Sequence, residues 1–133
     1  MKLYAVLLFL LAGMLGNLMA DVYHSTTMGG WWMDPNTWQS TGYPDADDDV
    51  FIHGIVFVIG ENSCNHLDIQ GSDAMIKCGD NASGTLTVNG NLTTSGWVTS
   101  SASYNLTLNL YGNLSINYNF VPHNFNWLGT GVK

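Results

Sequence analysis

The fold is decided by two stretches of sequence, Thr85-Leu86-Thr87-Val88-Asn89-Gly90-Asn91-Leu92-Thr93 and Thr107-Leu108-Asn109-Leu110-Tyr111-Gly112-Asn113-Leu114-Ser115. They align without a gap, and five of the nine aligned positions are identical. A weaker copy, Leu67-Asp68-Ile69-Gln70-Gly71, precedes them at a similar spacing. Repeats of about 20 residues, each with a short alternating strand, a Gly-Asn corner and a second short strand, are typical of a β-solenoid in which every repeat forms one coil.

Each repeat begins with the pattern of a half-buried strand. Leu86 and Val88 alternate with threonine, and Leu108 and Leu110 alternate with polar residues in the same way. This period of two is that of a strand with one face in the core. No stripe of helical period follows residue 20, so the sequence predicts an all-β domain, a short single-stranded β-solenoid.

The bends between strands are marked by glycine and asparagine. A glycine follows each repeated strand, and we expect positive φ at all three, Gly71, Gly90 and Gly112. Asn91 and Asn113 come directly after the last two corners. Stacked asparagines of successive coils can hydrogen-bond along a ladder, so we expect one at these corners.

The segment before the repeats is aromatic. Because the terminal coil of a solenoid exposes its core, bulky side chains laid over that end would cover it. We therefore expect an N-terminal cap made by three tryptophans, Trp31, Trp32 and Trp38. After the cap, the β-rich segments 50–53 and 56–59 flank Gly54 and are predicted to form the first coil.

The first twenty residues have the features of a secretory signal peptide. Lys2 precedes an apolar run at 5–12, and small residues continue to Ala20. Two glycines and an asparagine interrupt the run before it reaches the about 20 apolar residues of a membrane span, which disfavours an uncleaved anchor. We expect a secreted or cell-surface protein with no membrane span after cleavage. The predicted organisation is a signal peptide at 1–20, an aromatic cap at 21–49, coils at 50–117 and, at 118–133, either a C-terminal cap or a truncated continuation.

Charge argues against two classes of partner. The 133 residues carry 3 Lys+Arg against 10 Asp+Glu, a formal net charge of −7. Nucleic-acid binding depends on neutralising phosphates, and anionic lipid surfaces attract basic segments. Charged residues make up 10% of the chain against about 25% in typical soluble domains, so the surface must be mostly neutral and polar.

A pattern rich in Trp, Pro and Asp runs through the N-terminal half: Trp32-Met33-Asp34-Pro35-Asn36-Thr37-Trp38, Gly42-Tyr43-Pro44 and Asp47-Asp48-Asp49-Val50-Phe51-Ile52, followed by the strands at Leu67 and Leu86. It resembles a module that opens right-handed parallel β-helices in secreted, adhesin-like or polysaccharide-associated bacterial surface proteins. The order of Trp, Pro and Asp-x-Val is also similar to the eight-glycine extracellular domain. The resemblance implies a fold and a compartment, and any function taken from it is analogy.

The two cysteines, Cys64 and Cys78, have three interpretations. In an oxidising compartment they can form a disulfide, which would close a loop of about 15 residues and stabilise the fold by about 3 kcal/mol. They could instead be unpaired core side chains, or join His53 and His66 at a zinc ion without the usual ligand spacing. We expect the disulfide.

Acidic side chains cluster at Asp45, Asp47, Asp48 and Asp49. Their oxygens could bind calcium outside the cell, although the spacing is not that of an EF-hand, and a solvated turn at the entry to a strand is the alternative. Paired carboxylates can also hydrolyse glycosides, but no cluster of basic residues accompanies them. We expect no enzymatic activity, with a carbohydrate-active β-helix domain, a lyase or hydrolase, as the alternative.

Two further sets of side chains suggest contact with glycans. Aromatic rings at corners could stack on sugars or simply protect strand edges: Trp97, Tyr104, Tyr111 and Trp127. Four Asn-x-Ser/Thr sequons are possible glycan acceptors: Asn81, Asn91, Asn105 and Asn113. Together with the open strand edges and low charge, these features predict a secreted, non-enzymatic module for adhesion, self-assembly or glycan binding.

Overall fold

Short strands wind into a parallel β-solenoid of about four turns, which confirms the predicted fold class. The computed structural model describes residues 20–117, 120–122 and 124–129. The predicted signal peptide, apart from Ala20, lies outside these residues, and so does part of the segment 118–133. In the described part of the chain, no helix has the length and hydropathy that crossing a bilayer requires.

Three sheets form the walls of the solenoid. The first sheet contains β1 Val22–His24, β3 Asp49–Ile52, β6 Leu67–Ile69, β9 Leu92–Thr94 and β12 Leu114–Ile116. The second contains β2 Gly30–Trp31, β4 Ile55–Val58, β7 Met75–Cys78, β10 Trp97–Thr99 and β13 Phe120–Val121. The third contains β5 Gly60–Cys64, β8 Gly84–Val88, β11 Leu106–Leu110 and β14 Asn124–Trp127.

The sequence repeat places equivalent residues directly opposite one another. β11 pairs with β8 in parallel, so that Leu108 lies opposite Leu86 and Leu110 opposite Val88. β12 pairs with β9 in the same way. One turn of the solenoid here therefore corresponds to one copy of the sequence repeat.

The core is a column of aliphatic side chains enclosed by the three sheets. In β8 and β11 every second residue is buried, as the alternating pattern predicts. Leu86 and Leu108 are fully buried, and burying such a side chain stabilises the fold by about 1.5–3 kcal/mol. Because the same inward position is filled in each turn, the core continues along the axis of the solenoid.

Glycine is needed at two of the corners because successive turns approach closely. Gly71 has the predicted positive φ of 96°, but Gly90 and Gly112 do not have positive φ, so the predicted conformation is wrong for these two. A Cβ atom on Gly112 would collide with the carbonyl oxygen of Gly90, and one on Gly90 would collide with the ring of His66. The stacked corners leave no room for a side chain.

The first turn carries the aromatic cover. β1 pairs with β3 and β2 with β4, and a short 3-10 helix, Pro35–Thr37, follows β2. Trp32 and Trp38 are 1% and 4% exposed and pack edge to face with ring centroids 5.3 Å apart. They cover the core as predicted. Trp31 is 41% exposed, so its place in the predicted cap is corrected: it lies in β2, on the outside of the second sheet.

Candidate binding surfaces

Each wall of the solenoid presents a different chemistry to solvent. Side chains alternate along a strand, so every second residue points outward. Outward residues of the first sheet, apart from Val22, are acidic, aromatic or polar: His24, Asp49, Phe51, Asp68, Thr93 and Ser115. Those of the second sheet are mostly apolar: Trp31, Ile55, Phe57, Met75, Trp97 and Val121. Those of the third sheet are, apart from Glu61, short and polar: Ser63, Thr85, Thr87, Thr107, Asn109, Asn124 and Asn126.

A cleft of about 330 Å³ lies on the outside of the first sheet. This first-sheet cleft is lined by Asp49, Phe51, His66, Asp68, Asn91 and Thr93, with Val50 and Leu67. The register of β3, β6 and β9 places Asp68 between Phe51 and Thr93. Asp49 lies two residues before Phe51 on β3, so the Cα atoms of the two aspartates are about 8 Å apart along the diagonal of neighbouring strands.

Both carboxylates of the cleft keep one oxygen for a ligand. Asp49 Oδ1 accepts hydrogen bonds from Asn65 Nδ2 at 2.9 Å and from the His66 amide at 3.3 Å. Asp68 Oδ2 accepts from Gln70 Nε2 at 2.8 Å. Among the described residues, these hydrogen bonds reach only one oxygen of each carboxylate.

A ladder of side chains runs along the corner beside the cleft. His66 Nδ1 accepts a hydrogen bond from the Asn91 amide at 2.7 Å, and Asn91 Oδ1 accepts from the Asn113 amide at 2.9 Å. This confirms the predicted link between Asn91 and Asn113 and extends it to His66. Because Nδ1 is an acceptor, the proton of a neutral His66 ring is on Nε2, which can donate to a ligand.

Two histidines support the aromatic ring of the cleft. The His24 ring stacks on Phe51 with centroids 4.7 Å apart and planes within 11°. His24 Nδ1 lies 3.0 Å from His53 Nε2, while the ring planes differ by 2° and the centroids are 5.3 Å apart. Coplanar rings joined edge to edge by one N–H···N bond have this geometry. Such a bond requires at least one of the two rings to be unprotonated.

The outside of the second sheet, here termed the second-sheet face, is flat and apolar. Trp31 packs on Phe57 with ring centroids 4.9 Å apart, beside a shallow recess of about 180 Å³. Lys77 Nζ lies 5.0 Å from the centroid of Phe57 and 3.6 Å from Asp80 Oδ1. Lys77 is the only lysine among the described residues, and the chain has no arginine.

Outward side chains of the third sheet hydrogen-bond to one another. Asn126 Nδ2 donates to Asn109 Oδ1 at 2.9 Å, and Asn109 Nδ2 donates to Thr87 Oγ1 at 3.4 Å. These bonds run along the solenoid axis and connect three successive turns. The ladder stabilises the stack, and no aromatic ring stands among its members to receive a sugar.

The structure does not bring the four predicted glycan-stacking aromatics together. Trp97 lies on the second-sheet face, and its Nε1 donates to the Ser72 carbonyl at 3.1 Å. Tyr104 is half-buried against the core. Tyr111 and Trp127 are exposed near one corner, where Trp127 Nε1 donates to the Gly112 carbonyl at 3.0 Å.

The predicted calcium ligands build the turn that leads into β3. Asp48 is buried, and its carboxylate accepts hydrogen bonds from the amides of Asp21 at 2.8 Å and Asp45 at 2.9 Å. Asp45 Oδ1 accepts from the Asp47 amide at 3.0 Å, and Asp49 faces the first-sheet cleft. No three histidine, cysteine or acidic side chains within 20–117, 120–122 and 124–129 come together to hold a metal ion.

The predicted disulfide between Cys64 and Cys78 is corrected by the structure, in which both thiols are free and buried. Cys64 ends β5 in the third sheet, whereas Cys78 ends β7 in the second sheet of the next turn. Each fills an inward position as a small core side chain. Burial, with the nearby carboxylates of Asp49 and Asp48, raises the pKa of the Cys64 thiol, which makes it a poor nucleophile.

All four predicted sequons are exposed, at Asn81, Asn91, Asn105 and Asn113. Two of them belong to the corner ladder, so their conformation has a structural cause that is independent of glycosylation.

Phe51 and Asp68 were not predicted as binding residues, and His66 was considered only as a zinc ligand. Alternation along β3 and β6 identifies Phe51 and Asp68 as outward residues, but it does not show that they are neighbours. Their contact depends on the register between two strands that belong to successive turns of the solenoid.

Comparison of the chain with protein-family models, with curated proteins and with solved structures finds no match in any of the three.

Proposed function

We propose that the protein is a secreted or cell-surface, non-enzymatic module that binds neutral glycans in the first-sheet cleft. One observation carries this proposal: a single cleft on a rigid sheet combines an aromatic ring, two carboxylates with unused acceptor oxygens and an imidazole N–H donor. Residues 1–20 support secretion, as a signal peptide would.

The chemistry of the cleft matches that of a sugar. Pyranose rings present hydroxyl groups around apolar faces, and Phe51, held by His24, offers apolar aromatic surface to such a face. Asp49 and Asp68 can accept hydroxyl protons in charge-assisted hydrogen bonds. The about 330 Å³ of the cleft is at the small end of ligand sites, so we expect it to hold one or two sugar units of a chain.

Charge favours neutral glycans over acidic ones. The cleft contains two carboxylates and no lysine or arginine, on a chain with net charge −7. A uronate or sulfate group placed there would meet like charge without a cationic partner, which costs binding energy and slows association.

A hydrolase is the second candidate, because the cleft holds two carboxylates and glycosidases use such a pair. Binding without catalysis is preferred because one oxygen of each carboxylate already accepts a hydrogen bond from a side-chain amide, that of Asn65 for Asp49 and that of Gln70 for Asp68. A hydrolysis assay therefore belongs to the test.

The proposal is tested with a glycan array followed by calorimetric titration of the best ligand. We expect a neutral oligosaccharide to bind and the Asp68→Asn variant to weaken binding by about tenfold, the effect of one charge-assisted hydrogen bond. The matched control is Glu61→Gln, which removes an acid on the third sheet and should leave glycan binding unchanged. Preference for sulfated or uronic glycans would contradict the proposal, and release of reducing ends that Asp68→Asn abolishes would favour the hydrolase.

A further inference from the structure

The second-sheet face is a second candidate surface, distinct from the first-sheet cleft. Trp31 is 41% exposed, Ile55 38% and Val121 67%, and Phe57, Met75 and Trp97 lie between them in the same sheet. Contiguous apolar patches on soluble proteins mark interaction sites. We propose that a second copy of this chain docks on this face, sheet against sheet, to form a symmetric dimer.

The distribution of charge favours a second copy of the chain as the partner on the second-sheet face. Copies of a chain with net charge −7 repel one another, and the first and third sheets present acids such as Asp49, Asp68 and Glu61. The second-sheet face instead has Lys77 beside Asp80, with side chains 24% and 79% exposed. In a two-fold contact the same patch meets itself, so Lys77 of each copy can approach Asp80 of the other.

The size of the face sets the strength of the contact. Five strands at about 4.8 Å spacing and two outward positions per strand give a face about 20 Å by 10 Å. Two such faces bury about 400 Å² in total, about a third of the about 1,200 Å² of stable complexes. We therefore expect a dissociation constant on the order of 1 mM, so that the dimer forms where the chain is concentrated, as on a surface.

Sedimentation velocity of the purified chain across a concentration series measures this association. The sedimentation coefficient should rise with concentration toward that of a dimer. Ile55→Glu places a charge on the apolar part of the second-sheet face and should weaken the dimer by about tenfold or more, since like charges then meet across an apolar contact. Thr107→Glu, a half-buried threonine on the third sheet, is the matched control and should leave association unchanged.

Mixing two charge variants separates contact between copies from contact within one copy. Lys77→Glu and Asp80→Lys should each weaken self-association, because like charges face each other twice in either homodimer. An equimolar mixture of the two should associate more strongly than either variant alone, since both cross-contacts are then between opposite charges. The ion pair within each variant stays broken in the mixture, so an intramolecular role cannot produce this rescue.

Three results would overturn the proposal. A chain that sediments as a monomer at several times the expected dissociation constant has no such contact. Association that Thr107→Glu disrupts and Ile55→Glu does not would belong to another face. Equal behaviour of the mixture and the single variants would show that Lys77 and Asp80 do not meet across copies. None of these outcomes bears on glycan binding in the first-sheet cleft.

Discussion

Replacing Leu86 by alanine tests the arrangement of the core directly. Leu86 is fully buried in β8, and its neighbours in the third sheet are Asn62 of the preceding turn and Leu108 of the next. The surrounding turns are held by parallel pairing on both sides, so they cannot collapse to fill the space. The Leu86→Ala variant should therefore lose about 3 kcal/mol of unfolding free energy, from the lost transfer term and the cavity.

That loss corresponds to a large thermal shift. With an unfolding entropy of about 2.1 cal/mol/K per residue over about 110 folded residues, a loss of about 3 kcal/mol lowers the melting temperature by about 13 °C. Circular dichroism during heating and urea titration by tryptophan fluorescence give two independent measures. The control is Thr85→Ala in the same strand, which points outward and should change stability by less than about 0.5 kcal/mol.

The comparison of these two variants decides the register. If Thr85→Ala were as destabilising as Leu86→Ala, the strand would have its faces exchanged, because a slip of one residue turns every side chain to the other side. A loss below about 1 kcal/mol for Leu86→Ala would mean that the core column is not tightly packed at this turn.

Two further predictions concern titratable groups. Burial of the Tyr23 phenol, with Asp48 nearby, raises the pKa of Tyr23. The folded chain therefore holds this proton more tightly than the unfolded one, and the free energy of unfolding should fall as pH rises above about 10. Tyr23→Phe should reduce this fall in denaturant titrations at about pH 9 to 11. The buried Cys64 thiol should react with a maleimide only in denaturant, and rapid labelling of the native chain would contradict its placement in the core.

The rigid stack explains how a chain with few charged residues can present three distinct surfaces. Parallel pairing holds each outward residue opposite its counterpart in the next turn, so a short motif becomes a row of side chains along the axis. Acids and an aromatic ring accumulate on the first sheet, apolar side chains on the second, and threonine and asparagine on the third. Binding on one face therefore need not disturb the others.

The candidate sites were only partly visible in the sequence. Trp97 was identified as an aromatic contact, and the structure places it on an outward, apolar face. Its neighbours Ile55 and Met75 come from two earlier turns, and the sequence offers no local signal that these three residues meet. The same holds for the first-sheet cleft, where Phe51, Asp68 and Thr93 come from three strands.

By itself, the sequence determined the all-β class, the solenoid and the inward residues of its strands. It could do so because the alternation within a strand and the recurrence of the strand-corner-strand motif are both readable along the chain, and parallel stacking is the arrangement that buries the inward row in every turn. The tertiary structure alone decided that Cys64 and Cys78 lie in different sheets, that Trp31 faces outward, and that Gly90 and Gly112 are needed for close approach. Each of these depends on the register and spacing between turns, which are set by packing between residues distant in sequence.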